Sequence, residues 1–260
     1  MRKLLNPAAW GRALSRPLVL AGIAVDLFPI VGVIVFGWGA APLVMLYWME
    51  NVIAGVLTLP RIFLSGASFG ARGVLIGLFF CAFFIIHYGL FCAVHGSFLM
   101  MFIGLSEGSI DGQLSSLMDV PAMFVFGLTA GQHVDWFVQS IIAFQMLVLI
   151  FEFLIRKQWL HTNPLAEMFA PYGRILVLHV AIFAGAAALF VLGQPVVGVL
   201  ALIVFRSVYG VVTNGSGDFG FESGLTRALE NVSTRIGFEE AIRGKSAPST
   251  EEGDEASTPP

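Results

Sequence analysis

Seven ionisable side chains interrupt the apolar runs of this sequence: Asp26, Glu50, His87, His95, Glu152, His179 and Arg206. Ionisable groups in hydrocarbon are costly and usually face an interior shared by several helices. Neutral imidazole and carboxylate together ligate iron, zinc or copper, and the same groups relay protons. Arg206 needs a carboxylate, a lipid headgroup or cofactor phosphate, or a path to the surface; Glu152 and Glu50 are its candidate partners. Asn51 follows Glu50 and Tyr88 follows His87, which places neutral hydrogen-bonding groups beside two of the charged ones. Spacing limits the metal reading. His87 and His95 stand eight residues apart, about 12 Å along a helix, so they cannot share one ion with metal–nitrogen bonds of about 2 Å. A metal site takes at most one of them per ion and recruits Glu50 and His179 from other elements. Each group also has a purely structural reading. Glu50 with Asn51 can bond neighbouring helices, either histidine can satisfy a backbone carbonyl or a carboxylate, and Arg206 can snorkel.

The elements that must position these groups follow from composition. Of 260 residues, 57% are hydrophobic and 12% charged, with mean hydropathy +0.85. A soluble domain is typically about 45–50% apolar and about 25% charged. The excess excludes a soluble globular domain, a disordered chain and a free nucleic-acid binder, and leaves an all-α polytopic membrane helix bundle. A bilayer-crossing helix needs about 20 mostly apolar residues. Six runs qualify, at about 17–37, 41–60, 74–103, 136–155, 174–192 and 195–213. Thirteen of the 14 Lys and Arg fall on one side of that arrangement, with Arg61 and Arg72 placed in the loop after the second span. The other side carries Glu107, Asp111, Asp119 and Asp135 and no Lys or Arg. Positive charge stays inside, so the chain is expected to have six transmembrane helices with both termini cytoplasmic. No cleavable signal peptide is expected, because the first apolar run is a full span without a small-residue cleavage site after it.

Three parts result: a basic cytoplasmic segment at 1–16, a transmembrane domain at 17–213, and a largely disordered acidic tail at 214–260. The tail holds nine acidic and four basic residues, so the rest of the chain carries a net charge of +2. The spans pair into three hairpins. The outer turns of the first and third are tight, GWGAAP at 37–42 and GQP at 193–195. The outer loop of the second is long, about 104–135. Its apolar stretch at 121–131 rises only about 16 Å as helix, which suits a re-entrant or interfacial piece. Cys81 and Cys92 sit eleven residues apart on one helix, too far for a disulfide.

Helical periodicity sorts the polar residues further. Ala54 and Gly55 lie one turn on from Glu50 and Asn51, where small side chains admit another helix. In the third span Tyr88, Cys92 and His95 share one stripe with Cys81, and His87 lies about 80° around the axis from His95. In the fifth, Arg174 stands at the cytoplasmic boundary and His179 five residues deeper. There is no P-loop, GxSxG, GxGxxG, CxxC or HExxH. No two histidines of one span are 13–14 apart, the separation of helices that hold two haems.

Three segments carry a resemblance: Tyr47-Trp48-Met49-Glu50-Asn51-Val52-Ile53-Ala54-Gly55; His87-Tyr88-Gly89-Leu90-Phe91 with His95-Gly96; and Pro171-Tyr172-Gly173-Arg174-Ile175 with His179. In this order they resemble a family of bacterial integral membrane proteins designated a domain of unknown function, number 6498. The likeness covers roughly residues 15–212. Where that family often has a Lys and, one turn later, an Asp in the last span, Arg206 and Gly210 stand here. The resemblance implies a six-helix bacterial membrane protein and brings no activity.

The functional expectation is therefore an integral protein of the bacterial cytoplasmic (inner) membrane with a buried polar site. Its candidate members are Glu50, Asn51, His87, Tyr88, His95, Arg174, His179 and Arg206. Glu50, His87, His95 and His179 are the candidate ligands of a metal ion or haem iron, in a redox or proton-relay role. The alternatives are a small-solute or ion transporter or channel, and a membrane assembly or accessory protein. The expected partners are the lipid bilayer and a second copy of the chain; a nucleic acid is not.

Overall fold

A computed structural model describes residues 17–107, 118–172 and Ile175. The segment 1–16, the spans expected at 174–192 and 195–213 and the tail lie outside the described residues. Among the described residues every regular element is a helix. They are α1 (Pro17–Leu27), α2 (Pro29–Phe36), α3 (Ala40–Ala67), α4 (Ala71–Glu107), α5 (Val120–Thr129), α6 (Val134–Val148) and α7 (Pro164–Phe169). A π-helical stretch, Leu149–Ile155, prolongs α6, and a 3-10 turn, Gln158–Leu160, precedes α7. Among the described residues three helices are long and apolar enough to cross a membrane: Ala40–Ala67, Ala71–Met101 and Val134–Ile155.

The first expected span is two short helices. Pro29 has no N–H to give the preceding turn and its ring crowds the carbonyl four residues back, so the helix breaks after Leu27 and restarts at Pro29. The tight turn after it forms as its glycines suggest. Gly37 takes φ 66° and closes α2 in the left-handed conformation that glycine tolerates best. Trp38 folds back over Gly32, where a Cβ would lie 2.5 Å from the indole, and its Nε1 donates to the Gln132 carbonyl at 3.0 Å.

Helix α3 is the axis of the described bundle. Of its most apolar stretch 67% is buried inside the protein, against 17% in α4 and 24% in the helix ending at Ile155. It contacts α4, α5, α6 and α7. It also runs past Pro60, so Arg61 lies within α3 and Arg72 within α4 rather than in a loop between spans. Only Ser68–Gly70 separates the two helices. They cross there almost backbone to backbone. A Cβ on Gly73 would stand 2.1 Å from the Gly66 carbonyl oxygen, and one on Gly66 would stand 2.8 Å from the Gly77 Cα.

The core divides along α3. One apolar cluster gathers Trp38, Met45, Trp48, Met49, Met123 and Phe137; the other gathers Ile62, Phe84, Tyr88, Cys92, Met168 and Ile175. Val52 packs against both, so Glu50 and Asn51 sit at the waist where the clusters meet. The stretch at 121–131 is a short helix, as its length requires. Asp119 caps its first turn by accepting from the Ala122 N–H at 2.9 Å. Met123 is fully buried in the first cluster, and a Cβ on Gly96 would lie 2.8 Å from the Met123 sulfur and from the Trp48 ring.

The Gly66–Gly73 crossing gives a test. Gly73→Ala sets a methyl group against main chain that no rotamer can move aside, and overpacking of this kind costs about 1–3 kcal/mol. The unfolding midpoint of the detergent-purified protein should fall. Gly89→Ala, where a Cβ meets nothing within 4 Å, should leave it in place.

Candidate functional site

Helix α4 presents Tyr88, Cys92 and His95 to α3, all three buried. The Cys81 sulfur faces the Leu59 carbonyl at 3.5 Å. His87 lies off this face and is exposed, stacked on Phe83 at 5.3 Å between ring centroids. Tyr88 is the hinge of the arrangement. Its hydroxyl donates to the backbone carbonyl of Asn51 at 3.0 Å. Its ring fills the space that Gly55 leaves, since a Cβ there would lie 2.4 Å from Tyr88 Cε1. One turn further along, Trp48 Nε1 donates to the Cys92 carbonyl at 2.8 Å. Two side-chain-to-backbone bonds thus stitch α3 to α4 on either side of Glu50, which is itself buried.

A third segment closes on the same point. After α7 the chain turns through Ala170 and Pro171 and delivers Tyr172 among His87, Tyr88, Phe91 and Phe169, with centroids 5.4–6.3 Å away. The three segments that carried the family resemblance therefore meet, and Tyr88 touches the other two. Tyr172 was not among the candidate site residues. Apart from Phe169, its partners lie more than 80 positions away in the chain, and no local pattern announces such a contact.

Most of the polar side chains bond main chain. Asn51 Nδ2 donates to the Tyr47 carbonyl at 2.8 Å and Thr58 Oγ1 to the Ala54 carbonyl at 2.8 Å. His95 Nδ1 lies 2.6 Å from the Phe91 carbonyl, with its ring stacked on Phe91. Among the described residues no three of His, Cys, Asp and Glu come close enough to hold a metal ion. Glu50, His87 and His95 do not make a three-ligand centre by themselves, because His87 and His95 point from different faces of α4 and each has aromatic neighbours. His179, the fourth candidate ligand, lies outside the described residues, as do Arg174 and Arg206 and the site members they were to contribute.

Sequence reading missed one ion pair. Arg61 Nε donates to Glu167 Oε2 at 2.8 Å, and the guanidinium carbon stands 4.9 Å from the centre of the Phe153 ring. The Arg61 side chain is 30% exposed and that of Glu167 7%. Asn163 accepts from the Ala166 N–H at 2.8 Å and starts α7, which turns Glu167 toward α3. Phe153 reaches the guanidinium from the π-helical stretch. The pair spans 106 positions, so spacing offers no signal for it. It ties α3 to the short helix that leads into Tyr172.

Removing one partner of a buried pair costs about 3–5 kcal/mol, and of an exposed pair about 0.2–1. This half-covered pair should lie between them. Arg61→Ala and Glu167→Ala should each lower the unfolding midpoint, and the exchanged pair Arg61→Glu with Glu167→Arg should recover part of the loss. Equal damage from the exchanged pair and the sum of the single variants would show that the contact carries no coupling.

No curated protein and no solved structure matches the chain. Its residues 8–225 match a family model described as a family of unknown function (DUF6498). That span takes in all three of the segments that converge on Tyr88, and the chain belongs to this family.

Proposed function

We propose that the chain is a multi-pass membrane protein that passes protons or a small polar solute through the centre formed by Glu50, Asn51, Tyr88 and His95. The observation that carries this reading is the burial of Glu50 at the waist of α3, where two interhelical hydrogen bonds hold α4 against it. A carboxyl group retained inside an apolar helix pair marks a proton or ion pathway by default. Metal or haem ligation by Glu50, His87, His95 and His179 is less favoured, since the described donors do not gather into a group. Six spans, cytoplasmic termini and residence in a bacterial inner membrane complete the proposal. They rest on the apolar runs and the one-sided bases. A homo-oligomer would supply walls that one copy of this size lacks.

Proteoliposomes loaded with a pH-sensitive dye test it. Wild-type protein should speed proton entry under an imposed gradient with a potassium shunt. Glu50→Gln should slow it by about 10²-fold, the lower end of what a proton-carrying side chain contributes. Entry no faster than in protein-free liposomes removes the proton reading.

A second reading has its own support. The main-chain tethers of His95, Asn51 and Thr58 suit a packing role in an assembly or accessory protein. On that reading His95→Ala lowers the amount of folded protein in the membrane and leaves the rate per molecule unchanged. Topology is checked separately. A fluorescent protein fused after Pro260 should fold and shine in the cytoplasm, and a periplasmic phosphatase fused there should stay inactive.

A further inference from the structure

Asn51 and Tyr172 each keep one hydrogen-bonding atom in reserve. The orientation of the Asn51 amide is fixed by its surroundings. The Tyr47 carbonyl 2.8 Å away can only accept, so the amide must turn its NH₂ group there. That leaves Oδ1 to find its donor elsewhere. Asn51 is 6% exposed, and Oδ1 is buried with no hydrogen-bond partner among the described residues. The Tyr172 hydroxyl is likewise buried and without a hydrogen-bond partner among the described residues. So are Gln145 Nε2 and Thr162 Oγ1, but they stand on α6 and on the chain before α7. Tyr88 contacts both Asn51 and Tyr172. Its hydroxyl bonds the Asn51 carbonyl at 3.0 Å, and its ring meets the Tyr172 ring edge-on at 5.9 Å.

An acceptor and a phenol left bare in an apolar interior are costly, and native proteins satisfy such groups. The chemistry selects the ligand. Asn51 Oδ1 demands a donor, which excludes an anion. The phenol can donate or accept, and a hydroxyl ligand, which does both, suits it together with Oδ1. A metal ion would need more ligating side chains than these two. We infer that Asn51 and Tyr172 hold between them one small neutral hydroxyl ligand, water in the purified protein, which joins α3 to the segment after α7. The inference goes beyond the reading above, because it holds whether or not protons or solute move through the centre.

Thermal unfolding of the full chain in detergent decides it by sign. With a shared ligand, Tyr172→Phe strands that ligand and lowers the midpoint by about 2–4 °C. Asn51→Leu lowers it as well, and the double variant falls by less than the sum. If nothing sits there, Tyr172→Phe removes a bare hydroxyl and the midpoint holds or rises, which overturns the inference. Additive losses also overturn it, since they mean two separate partners. Hydroxyl-radical labelling in ¹⁸O water gives a reading that survives poor folding of the Asn51 variant. Tyr172 of the wild-type protein should be oxidised, with slow isotope exchange, while the lipid-facing Phe79 is spared. An unlabelled Tyr172 counts against the ligand.

Discussion

Inside an apolar helix bundle little water stands by to accept or donate a hydrogen bond, so most polar groups must find their partners within the chain. That constraint organises this structure. Trp48 and Tyr88 send their polar tips across the α3–α4 seam to main-chain carbonyls. Asn51, Thr58 and His95 bond the turn behind them on their own helix. The first kind of bond joins two helices and fixes their register. The second is local to one helix and fixes a side chain against its own backbone. Aromatic rings supply the bulk around both, and Gly55 and Gly96 clear room for them.

The division of the core follows from the same rule. α3 carries bulky apolar residues along both halves of its length and polar ones at the waist. Near the waist the short helix α5 presses Met123 against Trp48 from one side. Tyr172 reaches Tyr88 from the other cluster. The Arg61–Glu167 pair then locks the chain leading to Tyr172 onto the end of α3. A buried carboxylate of this kind is tolerated because its partner guanidinium reaches it directly and rests on an aromatic face, where a cation is stabilised.

Long apolar runs and glycine turns were legible in the sequence because they act locally. The hydrophobic stretches of α3, α4 and the Val134–Ile155 helix stand near where composition places them, and GWGAAP makes the tight turn its glycines permit. The small residues after Glu50 foretold a close approach, and Gly55 receives the Tyr88 ring. What could not be read is pairwise and distant. Tyr172 against Tyr88 and Glu167 against Arg61 depend on how helices return to one another, which no spacing encodes. The break at Pro29 was visible as a residue but not as two helices, and the length of α3 beyond Pro60 was masked by a proline that the helix absorbs. The meeting of three family segments is likewise a property of the folded chain alone.

Helix α4 is longer than a bilayer is thick. Its apolar part, Ala71–Met101, has 31 residues, about 46 Å of helix against a hydrocarbon layer of about 30 Å. Even a lean of 40°, the steepest commonly seen, leaves about 36 Å to accommodate. Its outward face is lined with Leu75, Phe79, Phe83, Ile86, Leu90 and Phe98, none of which welcomes headgroups or solvent. In a bilayer that surplus would be relieved by acyl chains stretching around the helix, so its length matches long-chain lipid better than short.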